Sequence, residues 1–311
     1  MTVEVRTSGR DEYPKYLRML ITGEHGVGKT RLASTSPDPL WIACSPGIAT
    51  LSQFRVPFVS VETEEQLLEV KTLLEAEPAA REAVLGHPVN TLVVDCVDEL
   101  QRLLMLDRLR KERRSEISFD DWNWISQRMN AIFTGLNSLE MHIIYITHLK
   151  DVVDGDKVTY KPAIQGSFID QIHNYVDISS VLVGEGLVDS ATIDEWEISK
   201  GDTNVTENSR FLITVPTKHT KWTNDKTLVT GGVIDVNFED DILEVVGFME
   251  ELRSFLPDST SVESPPEETV EETVENIPGM SNDERIEDLL ENSIKTNESE
   301  QENLTYVTNT K

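Results

Sequence analysis

Cysteine is nearly absent from this chain of 311 residues: only Cys44 and Cys96 occur. Two cysteines cannot build a disulfide framework, so stability has to come from an ordinary buried core. No run of about 18 apolar residues exists, which excludes a transmembrane helix. The stretch from Met1 to Pro14 is polar and carries both signs of charge, unlike a secretory signal. Basic residues are also scarce. Lys and Arg number 28 against 56 Asp and Glu, for a net charge of −28. That excludes a generally basic, nucleic-acid-coating protein, since phosphate backbones are held by cations. Any nucleic-acid site must be a local basic patch. A soluble, cytoplasmic protein is expected.

The acid is unevenly spread. Residues 257–311 carry 15 Asp or Glu against Arg285, Lys295 and Lys311, which leaves −16 for residues 1–256. The last 55 residues also hold Pro265-Pro266, a doubled Glu-Glu-Thr-Val, and much Ser, Thr and Asn. Such a segment cannot bury enough apolar surface to offset its ordering entropy, and a disordered acidic tail is expected. Within it, Ile286, Leu289, Leu290 and Ile294 share one helical face, either a transient helix or a docking motif for a partner.

The body alternates strand and helix patterns. Strands are expected at 16–22, 40–44, 56–61, 91–94 and 142–147. Helices are expected from Lys29, over 64–85 and over 98–113. Trp122, Ile125, Met129, Ile132, Leu136 and Leu139 recur at three- and four-residue steps, which predicts an amphipathic helix. Beyond His148 the pattern predicts a hairpin turning at Asp154-Gly155, a short helix over 165–175, strands over 178–183, 192–198 and 210–215, and a closing helix from Ile242. The whole reads as an α/β fold: a mainly parallel central sheet with an antiparallel extension, spanning 15–256 between an N-terminal extension (1–14) and the tail.

One segment carries specific chemistry. Gly23-Glu24-His25-Gly26-Val27-Gly28-Lys29-Thr30 matches the phosphate-binding pattern G-x-x-x-x-G-K-[ST] in full, between a buried strand and a helix. Glycines let backbone N–H groups turn inward around phosphates, and the helix N-terminus adds partial positive charge. Lys29 is expected on the β- and γ-phosphates and Thr30 on Mg²⁺, and Arg31 is counted among the nucleotide-binding residues. Asp95, ending the strand Thr91-Leu92-Val93-Val94, is the expected second Mg²⁺ contact. Thr147 or His148, ending the next strand, would sense the γ-phosphate. The water-activating group is open: residue 96 is Cys rather than Glu, leaving Asp98, Glu99 and, more weakly, Glu24. His25, His87, His142, His173 and His219 show no metal spacing, and neither zinc nor a catalytic thiol is expected.

Taken in order, Met19 to Thr30, Thr91 to Asp95, Asp121-Trp122-Asn123-Trp124 opening a helix, and Ile143 to His148 resemble the phage-encoded RecA-like ATPases. That group is linked to single-strand annealing and recombination. The resemblance covers about residues 15–250. It implies a RecA-like P-loop core, ATP and Mg²⁺ as ligands, single-stranded DNA as partner, and a homo-oligomer, ring or filament, in the host cytoplasm. It also implies that Lys218, Lys221 and Lys226, in a Lys-rich loop after a strand, act in trans on a neighbour's ATP. The family usually carries a Glu after the strand that follows the P-loop helix, whereas Trp41 to Gly47 contains no acid. The alternatives are therefore a nucleotide-gated binding module with little turnover, or another P-loop motor such as a helicase or packaging ATPase. Arg108, Arg110, Lys111, Arg113 and Arg114, ahead of Trp122 and Trp124, form one candidate DNA patch. Lys218, Lys221 and Trp222 form a second. The acidic tail would mimic DNA or recruit replication and recombination proteins.

Overall fold

A computed structural model describes residues 15–44, 51, 54–155, 157–184, 210–216, 220–227, 233–236, 238–246 and 248. The expected strand over 192–198, Lys218, the tail and its apolar island lie outside these residues.

Among the described residues, ten strands form the sheet. They are β1 (Arg18–Gly23), β2 (Pro39–Ala43), β3 (Phe58–Ser60), β4 (Thr91–Asp95), β5 (His142–Asp154), β6 (Lys157–Pro162), β7 (Ile178–Gly184), β8 (Arg210–Ile213), β9 (Asn224–Asp225) and β10 (Val233–Asp235). The main order is β10-β8-β7-β1-β5-β4-β2-β3, with β6 on β5 and β9 on β7. Strands β7, β1, β5, β4, β2 and β3 run parallel to their neighbours. Strands β8, β9 and β10 add on antiparallel. The expected parallel core with an antiparallel extension is what the chain forms. The tiny strands β9 and β10 have no pattern of their own and exist only by pairing.

The strands read as continuous apolar runs because both faces are covered. Leu20, Leu92, Val94, Ile143 and Tyr145 face one layer, which holds Leu67 and Leu74 of α2 (Glu64–Glu75). The same layer takes Leu100 and Leu104 of α4 (Val97–Glu112), and Met129 and Phe133 of α5 (Phe119–Asn137). Met19, Ile21, Val93, Ile144 and Ile146 face the other layer, against Leu32 of α1 (Lys29–Ala33) and Ile242 and Leu243 of α7 (Ile242–Val245). Neighbouring residues of one strand thus serve opposite layers, as the two-residue strand period requires.

The single helix expected over 64–85 is two. Helix α2 ends at Glu75, and α3 (Pro78–Leu85) starts afresh with Pro78 at its first turn. Proline lacks the N–H that would continue the ladder, and it forces Glu77 into an extended conformation. The helix over 165–175 is also shorter, α6 (Phe168–Gln171) followed by a 3₁₀ turn over Ile172–Asn174. Strand β5 runs beyond the expected Thr147, straight into the hairpin with β6. No helix among the described residues is long and apolar enough to cross a membrane.

Candidate nucleotide site

The phosphate loop leaves the C-terminal end of β1 and enters α1. Gly26 and Gly28 have positive φ, 77° and 108°. These conformations suit glycine and aim successive N–H groups inward. Lys29 is buried, and its ammonium donates to the carbonyls of Gly23 and Glu24, both at 2.8 Å. Burial pushes its pKa down. The Val27 carbonyl accepts from Arg210 Nε at 3.0 Å, so β8 holds the loop from the side.

Sheet register brings the remaining groups to the same end. Gly23 lies beside His148 across the β1–β5 pair, and Asp95 beside Ile146 across β4–β5. Strand β5 therefore sits between the phosphate loop and the Asp95 strand. Thr30 Oγ1 donates to Asp95 Oδ2 at 3.3 Å. Burial raises the Asp95 pKa, opposed by Lys29 and by the hydrogen bond from Thr30. Two hard oxygens facing one another suit Mg²⁺, which prefers carboxylate and hydroxyl donors.

Asp98, in the first turn of α4, points back into the site. Its Oδ1 accepts from Thr147 Oγ1 at 3.0 Å and from the His148 N–H at 3.1 Å. Its Oδ2 lies 2.8 Å from His148 Nδ1. Burial alone would raise the Asp98 pKa, but the His148 hydrogen bond and charge outweigh it and hold the carboxyl below its usual range. An ionised carboxylate only accepts, so Nδ1 carries a proton, and in the neutral ring Nε2 is the nitrogen without one. The His148 ring stacks on His25 of the phosphate loop, centroids 3.9 Å apart. His25 has its pKa lowered, first by the charge of His148.

Glu99, one residue on, faces away and pairs with Arg102 at 2.6 Å. Cys96 is buried, which pushes its thiol pKa up, and its Sγ lies 3.7 Å from His148 Nδ1. One ligand atom each from Cys96, Asp98 and His148 falls within 4.8 Å of the others, so a soft divalent cation could be held there. The sequence spacing gave no sign of this cluster, because His148 joins Cys96 and Asp98 only through the β4–β5 register.

Arg31 reaches over the ring of Phe238, its guanidinium 4.8 Å from the centroid. Phe238 in turn packs on Gly28. Neither Phe238 nor the role of Arg210 in holding the loop was legible in the sequence, for no motif marks either one.

The other candidates lie elsewhere. Lys226 donates to the carbonyls of His173 and Val176 at 2.6 and 2.7 Å, close to the start of β7 and so at the sheet end opposite the phosphate loop. Lys221 is exposed beside a pocket of about 350 Å³ that Tyr160, His173 and Trp222 also line. The Trp222 indole is engaged, stacked on His173 and donating to the Tyr160 carbonyl at 2.8 Å. In the basic run, Arg108 pairs with Glu112 and Asp121, Lys111 with Glu65 and Asp107, and Arg114 with Glu112 and Asp121. Three of its five cations are thus neutralised within the chain. Among the described residues only Arg110 and Arg113 of that run carry no ion pair. Trp122 and Trp124 are half-buried against the core, and Arg108 lies over Trp124 at 5.0 Å.

Comparison with known proteins agrees with this geometry. No curated protein matches the chain. Residues 15–220, more than half of its length, match the family model described as an AAA domain, and the protein belongs to that AAA domain family.

Proposed function

We propose that this protein is a RecA-like ATPase that works as a homo-oligomer on single-stranded DNA, in phage recombination, annealing or replication. Membership of the AAA domain family implies nucleotide binding and ATPase activity. The observation that carries the ATPase reading is the convergence of Lys29, Thr30, Asp95, Asp98 and His148 at the sheet end where β1 and β4 finish, beside the middle of β5. Ligands of open α/β sheets bind at such ends.

Lys29 would leave the Gly23 and Glu24 carbonyls for the β- and γ-phosphates. Thr30 and Asp95 would hold Mg²⁺, which when bound neutralises charge developing on the phosphates. His148 Nε2, oriented by Asp98 through Nδ1, takes the proton of the attacking water. The new bond forms between that water oxygen and the γ-phosphorus as the bond to the bridging oxygen breaks, and ADP and phosphate leave. A histidine held by a carboxylate stands in for the missing glutamate. Lys218, Lys221 and Lys226 remain candidates for trans contacts between subunits. Lys226 would have to exchange its present carbonyl partners for a neighbour's phosphates. The acidic tail would recruit replication or recombination partners, or compete with DNA.

A second reading, a nucleotide-gated module with little turnover, is favoured by the absence of an acid both at position 96 and over Trp41 to Gly47. Hydrolysis of ATP by the purified chain, with and without single-stranded DNA, separates the two when run beside Lys29→Ala. DNA-stimulated turnover lost in the variant supports the ATPase. Binding without turnover supports the gated module. Turnover indifferent to DNA removes the DNA assignment.

A further inference from the structure

We infer that Phe238 and Arg31 form the seat for the nucleobase, with the base stacking on the Phe238 ring. The inference rests on reading the phosphate loop as a nucleoside triphosphate site. It adds what recognises the nucleoside as distinct from the phosphates.

Phe238 forms one wall of the phosphate loop. A Cβ placed on Gly28 would come within 2.7 Å of the ring's Cζ and 3.1 Å of Cε1. Only glycine therefore lets the ring lie this close. The segment bearing the ring is tied to the loop on both sides. Before it, the Val236 N–H donates to the Arg210 carbonyl at 2.8 Å, and Arg210 Nε donates to Val27 at 3.0 Å. After it, the Ile242 N–H donates to Thr35 Oγ1, just past α1, at 3.0 Å. Ile242, Leu243 and Val246 are buried beneath. The ring is thus held against the phosphate loop before any ligand arrives, which lowers the ordering cost of binding.

Its outer face is the one that matters. Phe238 is only half-buried, and that face carries the Arg31 guanidinium, a planar cation at 4.8 Å. Arg31 is exposed and follows Thr30 directly, on the first turn of α1. A purine offers a larger planar π surface than a guanidinium and takes the same face. Arg31 then swings to the outer side of the base or to the α-phosphate. The result is a sandwich of ring, base and cation, each contact of a known stabilising kind.

The test is equilibrium binding by the full chain with Mg²⁺, for ATP and for inorganic tripolyphosphate, in wild type, Phe238→Leu, Phe238→Trp and Lys29→Ala. Leucine keeps the apolar bulk against Gly28 and removes the aromatic face. Phe238→Leu is expected to weaken ATP roughly 10- to 100-fold, the range of one base–aromatic stack, while tripolyphosphate changes less than about twofold. Phe238→Trp is expected to retain ATP affinity, and Lys29→Ala to lose both ligands. Equal losses for ATP and tripolyphosphate in Phe238→Leu would make the ring a mere prop for the loop and overturn the inference. So would unchanged ATP affinity. A wild-type chain that binds tripolyphosphate as tightly as ATP overturns the nucleobase seat alone. One that binds neither overturns the nucleotide reading beneath it.

Discussion

His148 Nδ1 lies 2.8 Å from Asp98 Oδ2, joining the middle of β5 to the first turn of α4 directly beside the phosphate loop. The same carboxylate also receives the His148 N–H and the Thr147 hydroxyl. Three donors on one carboxylate fix the ring's rotation as well as its tautomer. The free Nε2 edge is then preset, as a proton acceptor requires.

Removing either member of this pair should slow hydrolysis more than it weakens binding. His148→Ala and Asp98→Asn are each expected to lower kcat about 10²- to 10⁴-fold, the usual range for a general base, with ATP affinity nearly unchanged. The double variant should lose little more than the worse single one, since the two act as a unit. Single-turnover kinetics with separately measured ATP binding checks this. Full activity in His148→Ala would remove the pair from the mechanism.

Stability in acid should report the same contact. The Asp98 pKa is lowered from its ordinary 3.8 in the folded chain. Its contribution is therefore complete above that unfolded value and is lost as pH falls through the depressed one. Asp98→Asn should flatten the acid limb of a stability–pH curve measured by denaturant unfolding.

Asp95 predicts the opposite sign. Burial raises its pKa from 3.8, so ionised Asp95 costs the ligand-free protein stability. The folded state is favoured by this group below its unfolded value, and that benefit is lost as pH rises through the raised value. Asp95→Asn should therefore raise the Tm of the free protein at neutral pH. It should also weaken Mg²⁺-dependent nucleotide binding, by about 10- to 100-fold if the contact runs through a bound water. Thermal melts with and without Mg²⁺ and ATP check both halves.

Phe133 tests the core beneath the site. It is fully buried, stacked on Tyr145 at 4.2 Å and edge-on to Phe168 at 5.0 Å. Tyr145 lies on β5, three residues before His148. Phe133→Ala should cost about 3–5 kcal/mol of folding stability, seen as a lower denaturation midpoint. A loss below about 1 kcal/mol would mean that the layer collapses freely around the gap.

Much of the architecture was legible in local pattern. Apolar runs marked the central strands, and the three- and four-residue spacing from Trp122 to Leu139 marked α5. Gly23 to Thr30 announced a phosphate site, because glycine placement, the following lysine and the helix start are all local requirements of a phosphate cradle. Pro78 is equally local, since its missing N–H breaks a helix ladder, and the expectation of one helix over 64–85 left it out of account.

What the tertiary structure decided was convergence. Asp98 and Glu99 are adjacent acids in one helical turn, and no local rule separates them. The β4–β5 register aims Asp98 at His148, while helix geometry leaves Glu99 to Arg102. The His25–His148 stack, the grip of Arg210 on Val27 and the packing of Phe238 on Gly28 each join residues far apart in the chain. Periodicity and propensity act over a few residues, whereas the order of strands in a sheet is settled by packing the whole core. Nucleotide chemistry was therefore readable from one loop, and the residues placed around that loop were not.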